Sequence, residues 1–505
     1  MSTVTADTAA LHTVEHWVNG KTFSGKSTRT APVFDPARGQ VARDVRLAST
    51  PDVAAAVKVA KDAFPAWSSA SWARRQTVLF AFREILNARK SEVAALLTSE
   101  HGKVTADALG EIARGLEVVE FACGAAHLAK GEYTENVSTG VDVYSLHQAL
   151  GVVGIISPFN FPAMVPLWFF PIALAAGNTV ILKPSEKDPS ASLWMARALQ
   201  EAGLPDGVFN VVNGDKESVD ALLEHPDIAS ISFVGSTPIA RYIYETAAHN
   251  GKRVQALGGA KNHMLVLPDA DLDLVADSAV NAGFGSAGER CMAISVVVAV
   301  EPVADELIAK ITERMSSLKV GDGTRGCDMG PLITREHRDK VASYIDVASS
   351  DGAVVVVDGR GVTADGEADG FWLGPTLIDK VPLTSRVYTD EIFGPVLSIV
   401  RVASYEEGLA VINASPYGNG TAIFTNDGGA ARRFQNEVHV GMIGINVPIP
   451  VPVGYFSFGG WKDSLFGDTK AYGPDAIHFF TRQKAVTSRW LDPSHGGINL
   501  GFPQN

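Results

Sequence analysis

The sequence predicts two doubly wound α/β domains facing each other across a cleft, with a β-arm oligomerisation element set apart from both. Three observations carry this. Short apolar runs at Val152–Ile156, Thr179–Leu182, Val208–Val212, Ala229–Val234 and Arg253–Leu257 are separated by helix-length segments, the pattern of a parallel sheet covered on both faces. A second alternation follows Gly258, with strands near Ile294–Val298, Val354–Val357, Val396–Val400 and Met442–Ile445. Finally, Gly140–His147 and Ala485–Trp490 read as extended arms outside either alternation, and isolated arms tend to find partners on another subunit.

Taken in order, Met1–Ala10 has neither a basic start nor an apolar centre, and its acidic residue disfavours a transit peptide, so a loose leader is expected. Asp52–Phe64, Trp72–Ala88, Ser91–His101 and Ala106–Leu128 place apolar residues at three- and four-residue spacing and are expected to be helices. The longest apolar run, Met164–Gly177, is short for a membrane span and is interrupted by Pro166 and Pro171, which suggests a buried, bent helix.

Composition narrows the function. The chain has 505 residues, enough for more than one domain, and a formal net charge of −13, which argues against a nucleic-acid partner. Its three cysteines lack paired spacing or neighbouring histidines, so a zinc site is not expected and a reducing cytoplasm suits them.

Those cysteines differ in setting. Cys123 lies in an apolar helical stretch and reads as a small buried hydrophobe, while Cys327 is a loop residue without an apparent partner. Cys291 stands in the Gly-rich turn Phe284–Ala293 with Arg290 beside it, a setting that gives a nucleophile room, backbone amides and a charge favouring thiolate. One cysteine near glycines reads equally well as an inert core thiol.

The sheet's carboxyl ends offer a ligand site, since Asn160, Lys183, Glu186 and Ser236 all fall just beyond strands. No Gly-x-Gly-x-x-Gly follows the first strand of that sheet, which on its own counts against a nicotinamide cofactor. Gly235-Ser236 opens a helix and reads either as a plain N-cap or as a phosphate-binding start. A carboxylate at Glu186 would accept from ribose hydroxyls and repel a 2′-phosphate, although Lys187 next to it softens that argument.

Several strings decide between these readings. Gly154–Pro162, Thr179–Glu186, Phe233–Ser236, Leu257–Gly259, Gly288–Cys291 and Glu391–Val396 occur in the order and at roughly the spacing of the aldehyde dehydrogenase superfamily, which the chain resembles over nearly its whole length. Within it, Arg290–Ala293, Gly259–His263, Gly459–Ser464 and Phe466–Asp468 look like the CoA-acylating methylmalonate-semialdehyde dehydrogenase branch.

The resemblance implies residues 12–127 and 149–257 as the NAD-binding domain, 258–469 as the catalytic domain, and 128–148 with 470–505 as arms of a homotetramer, a dimer of dimers. It implies Cys291 as nucleophile and the Asn160 amide with the Cys291 N–H as oxyanion donors. NAD would be held by Ser157, Phe159, Lys183, Glu186, Lys187, Ser236, Gly258, Glu391 and Phe393. Hydrolytic members carry Glu-Leu-Gly-Gly, whose glutamate activates water; here the string is Ala256–Gly259, so coenzyme A is expected to take the acyl group. Arg114 and Arg290 would hold a substrate carboxylate, with propionyl-CoA or acetyl-CoA and carbon dioxide as products. Two alternatives stand beside this: a hydrolytic aldehyde dehydrogenase using Glu289 or another carboxylate as base, and a non-catalytic binding protein that keeps the fold.

Overall fold

The structure, a computed structural model, describes residues 12–490. The expected leader and the last residues of the second arm lie outside that range.

The first sheet has eight strands, with Arg253–Leu257, Ile228–Val234, Val152–Ile156, Thr179–Lys183 and Phe209–Val211 adjacent and parallel. Alternation along these strands sorts their side chains onto two faces. Val153, Ile155, Val180 and Leu182 join the apolar cluster that contains the helices Trp72–Ala88, Met164–Ala175 and Ser190–Glu201. Val152, Ile156 and Ile181 join a second cluster with helices Thr50–Ser68, Lys216–Glu224 and Thr237–His249. With both faces covered, the strands need continuous apolar sequence, and for that reason they were visible as apolar runs.

The second sheet has seven strands, in the order Val354–Val357, Thr376–Asp379, Val396–Val402, Ile294–Val300, Asn262–Val266, Gly420–Phe424 and Met442–Ile445, antiparallel only at its first pair. Asn262–Val266, Thr376–Asp379 and Gly420–Phe424 add to the expected set. A short strand, Leu465–Phe466, returns to the edge of the first sheet and pairs with Ala256–Leu257. This return clamps the two sheets together beside the cleft.

Met164–Ala175 is a helix buried at every position, with Pro171 inside it. Among the described residues no helix is long and apolar enough to cross a membrane. The arms pair with each other within the chain: Thr481–Arg489 runs antiparallel to Val141–Ala149, which also pairs with Tyr133–Ser138. The second arm begins only at Thr481, because Ala471, Tyr472, Ala476, Ile477, Phe479 and Phe480 are apolar enough to be drawn into the first core. Near the N-terminus, Thr30–Asp35 and Gln40–Arg46 form an unanticipated hairpin.

Candidate active site

Cys291 stands where two clefts meet. One cavity of about 210 Å³ is lined by Phe159, Asn160, Ser236, Gly258, His337 and Glu391, among others, and the other, of about 520 Å³, by Asp107, Arg114, Trp168, Arg290 and Phe458; both include Cys291.

The loop before the nucleophile is strained. Ser286, Ala287 and Gly288 follow one another with φ of 53°, 51° and 73°, a left-handed run that side chains bearing Cβ adopt only where the surroundings enforce it. The backbone that follows this run is held by side-chain hydrogen bonds. Asn262 Nδ2 donates to the carbonyls of Cys291 and Ala293 (2.9 Å each), and Asn419 Nδ2 donates to the Cys291 carbonyl (3.1 Å). Asn262 Oδ1 in turn accepts from Gly420 N at 3.0 Å. Two asparagines therefore fix the nucleophile's backbone from neighbouring strands. Sequence reasoning missed both, although Asn262 lies inside a string that had drawn attention.

The expected thiolate is not what the free site favours. Burial pushes the Cys291 thiol up to about 12, and the nearby Glu391 carboxylate adds to the rise; Arg290 opposes it only weakly. The reason lies in the Arg290 geometry, since its Nη2 donates to Asp107 Oδ1 at 2.5 Å and the carboxylate offsets its charge. Alkylation of Cys291 by iodoacetamide is accordingly expected to climb through the alkaline range without levelling near neutrality, and Glu391→Gln is expected to accelerate it at neutral pH. Pseudo-first-order inactivation rates against pH check this; a plateau near neutrality would contradict it.

Glu391 lies against the Gly258–Ala260 turn, where Ala260 N donates to its Oε1 at 2.8 Å and a Cβ on Gly259 would come within 2.3 Å of Oε2. A side chain at that position would displace the Glu391 carboxylate. Burial raises the Glu391 carboxyl to about 7. The Gly459–Ser464 string closes on the same turn: Ser464 Oγ donates to Gly259 O (2.7 Å), and Gly258 N donates to Ser464 O (3.0 Å).

Of the residues expected at a cofactor, Phe159, Ser236, Gly258, Glu391 and Phe393 line the smaller cleft. Ser236 precedes helix Thr237–His249 with its hydroxyl exposed and making no capping bond, so the plain N-cap reading loses its support. Phe393 has a φ of 58° and packs edge-on to Phe159 at 5.8 Å. Ser157, Lys183, Glu186 and Lys187 sit beyond that lining: Lys183 Nζ donates to Gly214 O at 2.8 Å and faces Glu186 at 3.7 Å, and Lys187 Nζ lies 4.7 Å from the Phe159 ring centre. Ser157 Oγ is buried without a protein partner. His337, which sequence reasoning missed, lines the cleft, and its Nε2 lies 2.7 Å from the Phe393 carbonyl.

Glu289 is not placed to act as a base. It is fully buried and lines neither cleft; Oε1 accepts from Ile333 N at 3.3 Å and lies 3.5 Å from His337 Nε2, while Oε2 lies 3.6 Å from His101 Nε2. Burial raises its carboxyl to about 8. The sign of the linkage follows: the folded form retains the proton, so the associated stability is complete below the ordinary carboxylate range and is lost as pH rises through about 8. Glu289→Gln is therefore expected to gain stability over the parent chain between about pH 5 and about pH 9, by on the order of a few kcal/mol. Melting curves of both proteins across that range check it; a constant difference would contradict it.

In the larger cleft, Arg290 makes its one side-chain hydrogen bond among the described residues to Asp107, leaving the rest of its fork available. Arg114 is more committed: Nη1 donates to both Glu117 oxygens (2.9 Å each) and Nη2 to the carbonyls of Val451 (3.3 Å) and Pro452 (2.8 Å). Its guanidinium shapes the cleft wall. Trp168 and Phe458, 4.6 Å apart between ring centres, form the apolar side.

The chain is similar to known proteins over nearly its whole length. The profile of the aldehyde dehydrogenase family matches residues 23–486. A malonate-semialdehyde dehydrogenase of Pseudomonas aeruginosa is 53% identical over 98% of this chain and 100% of its own length. One from Geobacillus thermodenitrificans is 46% identical over 96% and 100%. Among solved structures, a Sinorhizobium meliloti protein assigned as a methylmalonate-semialdehyde dehydrogenase and complexed with NAD is 51% identical, with a TM-score of 0.95 over 96% of this chain and 99% of that one. The methylmalonate-semialdehyde dehydrogenase of Oceanimonas doudoroffii is 53% identical, with a TM-score of 0.94 over the same shares.

Proposed function

Because the chain belongs to the aldehyde dehydrogenase family, we propose that it is an NAD-dependent, CoA-acylating dehydrogenase of malonate semialdehyde and its methyl derivative. The observation that carries the reading is Cys291 at the junction of two clefts, with no carboxylate where family hydrolases activate water. Ala256 is fully buried in its strand, and Glu289 faces two histidines.

The smaller cleft suits NAD. The helix start at Ser236 favours a pyrophosphate, Glu391 is assigned to ribose hydroxyls, and Phe393 and Phe159, packed edge-on, supply apolar lining. Bound there, NAD supplies a hydride acceptor and a positive charge near the thiol.

Cys291 Sγ, once deprotonated, adds to the aldehyde carbon, and the new oxyanion is held by Asn160 Nδ2 and the Cys291 N–H, each donor contributing about 3 kcal/mol. Oxidation of this adduct leaves a thioester on Cys291. A carboxylate β to the thioester carbonyl, paired with Arg290, departs as carbon dioxide, and the same donors stabilise the resulting enolate until it is protonated. Coenzyme A then attacks the thioester and releases acetyl-CoA or propionyl-CoA, returning the sulfur of Cys291 as thiol. Steady-state NADH formation from both semialdehydes and from propanal, with and without CoA, tests the assignment. Preference for propanal, or product as free acid, would overturn it.

The two arginines separate in an informative way. Arg290→Ala is expected to lower kcat/KM on the semialdehydes by about 10- to 100-fold more than on propanal, because only the former lose a charge-assisted pair. Arg114→Ala is expected to weaken both substrate types, since it also frees the Val451–Pro452 wall. Equal fractional losses for Arg290→Ala would remove it as the carboxylate anchor.

The three-stranded arm leaves Tyr133 and Leu146 exposed. We assign it to subunit pairing in a homotetramer, to be checked by sedimentation mass.

A further inference from the structure

Asn160 lies in a stretch that cannot hold itself. Between the strand ending at Ile156 and the helix beginning at Met164 run Ser157-Pro-Phe-Asn-Phe-Pro-Ala163, where two prolines remove backbone donors. The helix start lacks a side-chain cap of its own. Its missing partners come from elsewhere in the chain. Lys103 Nζ donates to the Asn160 carbonyl at 2.7 Å and to Glu111 Oε2 at 2.6 Å. Glu111 Oε1 accepts from Ala163 N at 2.8 Å and from Met164 N at 3.0 Å. Both side chains are wholly inaccessible, and the Lys103 ammonium also lies 4.5 Å from the centre of the Phe161 ring.

We propose that the buried Lys103–Glu111 pair is the positioning element for the oxyanion donor Asn160, gripping the loop at the Asn160 carbonyl and again at the helix start that follows. The proposal rests on the reading of Asn160 as oxyanion donor. One ion pair supplies three hydrogen bonds to the backbone between Asn160 and Met164, one at the carbonyl of Asn160 itself and two just after it. Without them, the loop is free to shift, and a displacement of about 1 Å in a catalytic group costs on the order of 100-fold in rate.

Removing one partner alone would strand a buried charge, so the informative variant is Lys103→Met with Glu111→Gln. Glutamine Oε1 keeps the two backbone bonds that start the helix, whereas nothing replaces the bond to the Asn160 carbonyl. Three readouts are taken on the full-length enzyme: NAD affinity by fluorescence, the melting curve, and the stopped-flow rate of the first NADH turnover. The expected result is unchanged NAD affinity with a first-turnover rate lowered about 10- to 100-fold. The same double substitution placed in an Asn160→Ala background should lower the rate by less than about 3-fold further, because the group being positioned is gone. A normal first-turnover rate in the double variant overturns the proposal, as does a loss that multiplies fully with that of Asn160→Ala. An unimpaired Asn160→Ala enzyme would instead overturn the oxyanion reading beneath it.

Discussion

Cys291→Ala is expected to abolish NADH formation, to below about one ten-thousandth of the parent rate, while NAD affinity stays within about 2-fold. The size of the effect follows from the site. Methyl in place of thiol removes the one sulfur nucleophile that, among the described residues, lines the two clefts, and Cys123 and Cys327 are buried away from both. The cofactor contacts proposed for Ser236, Glu391 and Phe393 do not involve the sulfur, so binding should survive. The backbone of residue 291 should also stay in place, since Asn262 and Asn419 hold it through its carbonyl. Steady-state assay with a parallel NAD titration checks both halves. Measurable turnover would contradict the covalent route, and lost NAD binding would show that the thiol does more than attack.

What was legible in the sequence follows physical lines. The central strands Val152–Ile156 and Thr179–Lys183 are buried along their whole length and so appear as unbroken apolar runs. The hairpin Thr30–Asp35 with Gln40–Arg46 was hidden because it is half-exposed and carries Pro32, Arg43 and Asp44. Asn262–Val266 is wholly buried, yet its start is polar and doubles as part of the active-site turn.

The site divides in the same way. Cys291, Asn160, Glu391 and Phe393 stood out because each lies in a distinctive string. Lys103, Glu111 and Asp107 did not, because the active-site groups they hold, at Asn160, Ala163 and Arg290, lie 57, 52 and 183 residues away and leave no local pattern. Arg290 illustrates the limit of adjacency: beside the nucleophile in sequence it promised a thiolate, but in space Asp107 engages it and burial governs the thiol.

Coenzyme A should be required for sustained turnover, with steady NADH formation falling at least about 100-fold when it is left out. Acylation needs Cys291, its oxyanion donors and NAD as the hydride acceptor. Deacylation by water needs a base beside the thioester; Glu391, which shares the cleft with Cys291, accepts from Ala260 N and is assigned to the cofactor ribose, and the two other positions are closed. Ala256 carries no carboxylate, and the Glu289 carboxyl is held by Ile333 N between His101 and His337. A thiol is intrinsically the better nucleophile toward a thioester, so coenzyme A can complete the cycle without that base. Stopped-flow absorbance of NADH with substrate and NAD, first without CoA and then on its addition, measures this most directly. The account predicts a burst of about one NADH per competent site, a near stall, and resumption on adding CoA with acyl-CoA and carbon dioxide as products. Fast linear turnover to a free acid without CoA would contradict it.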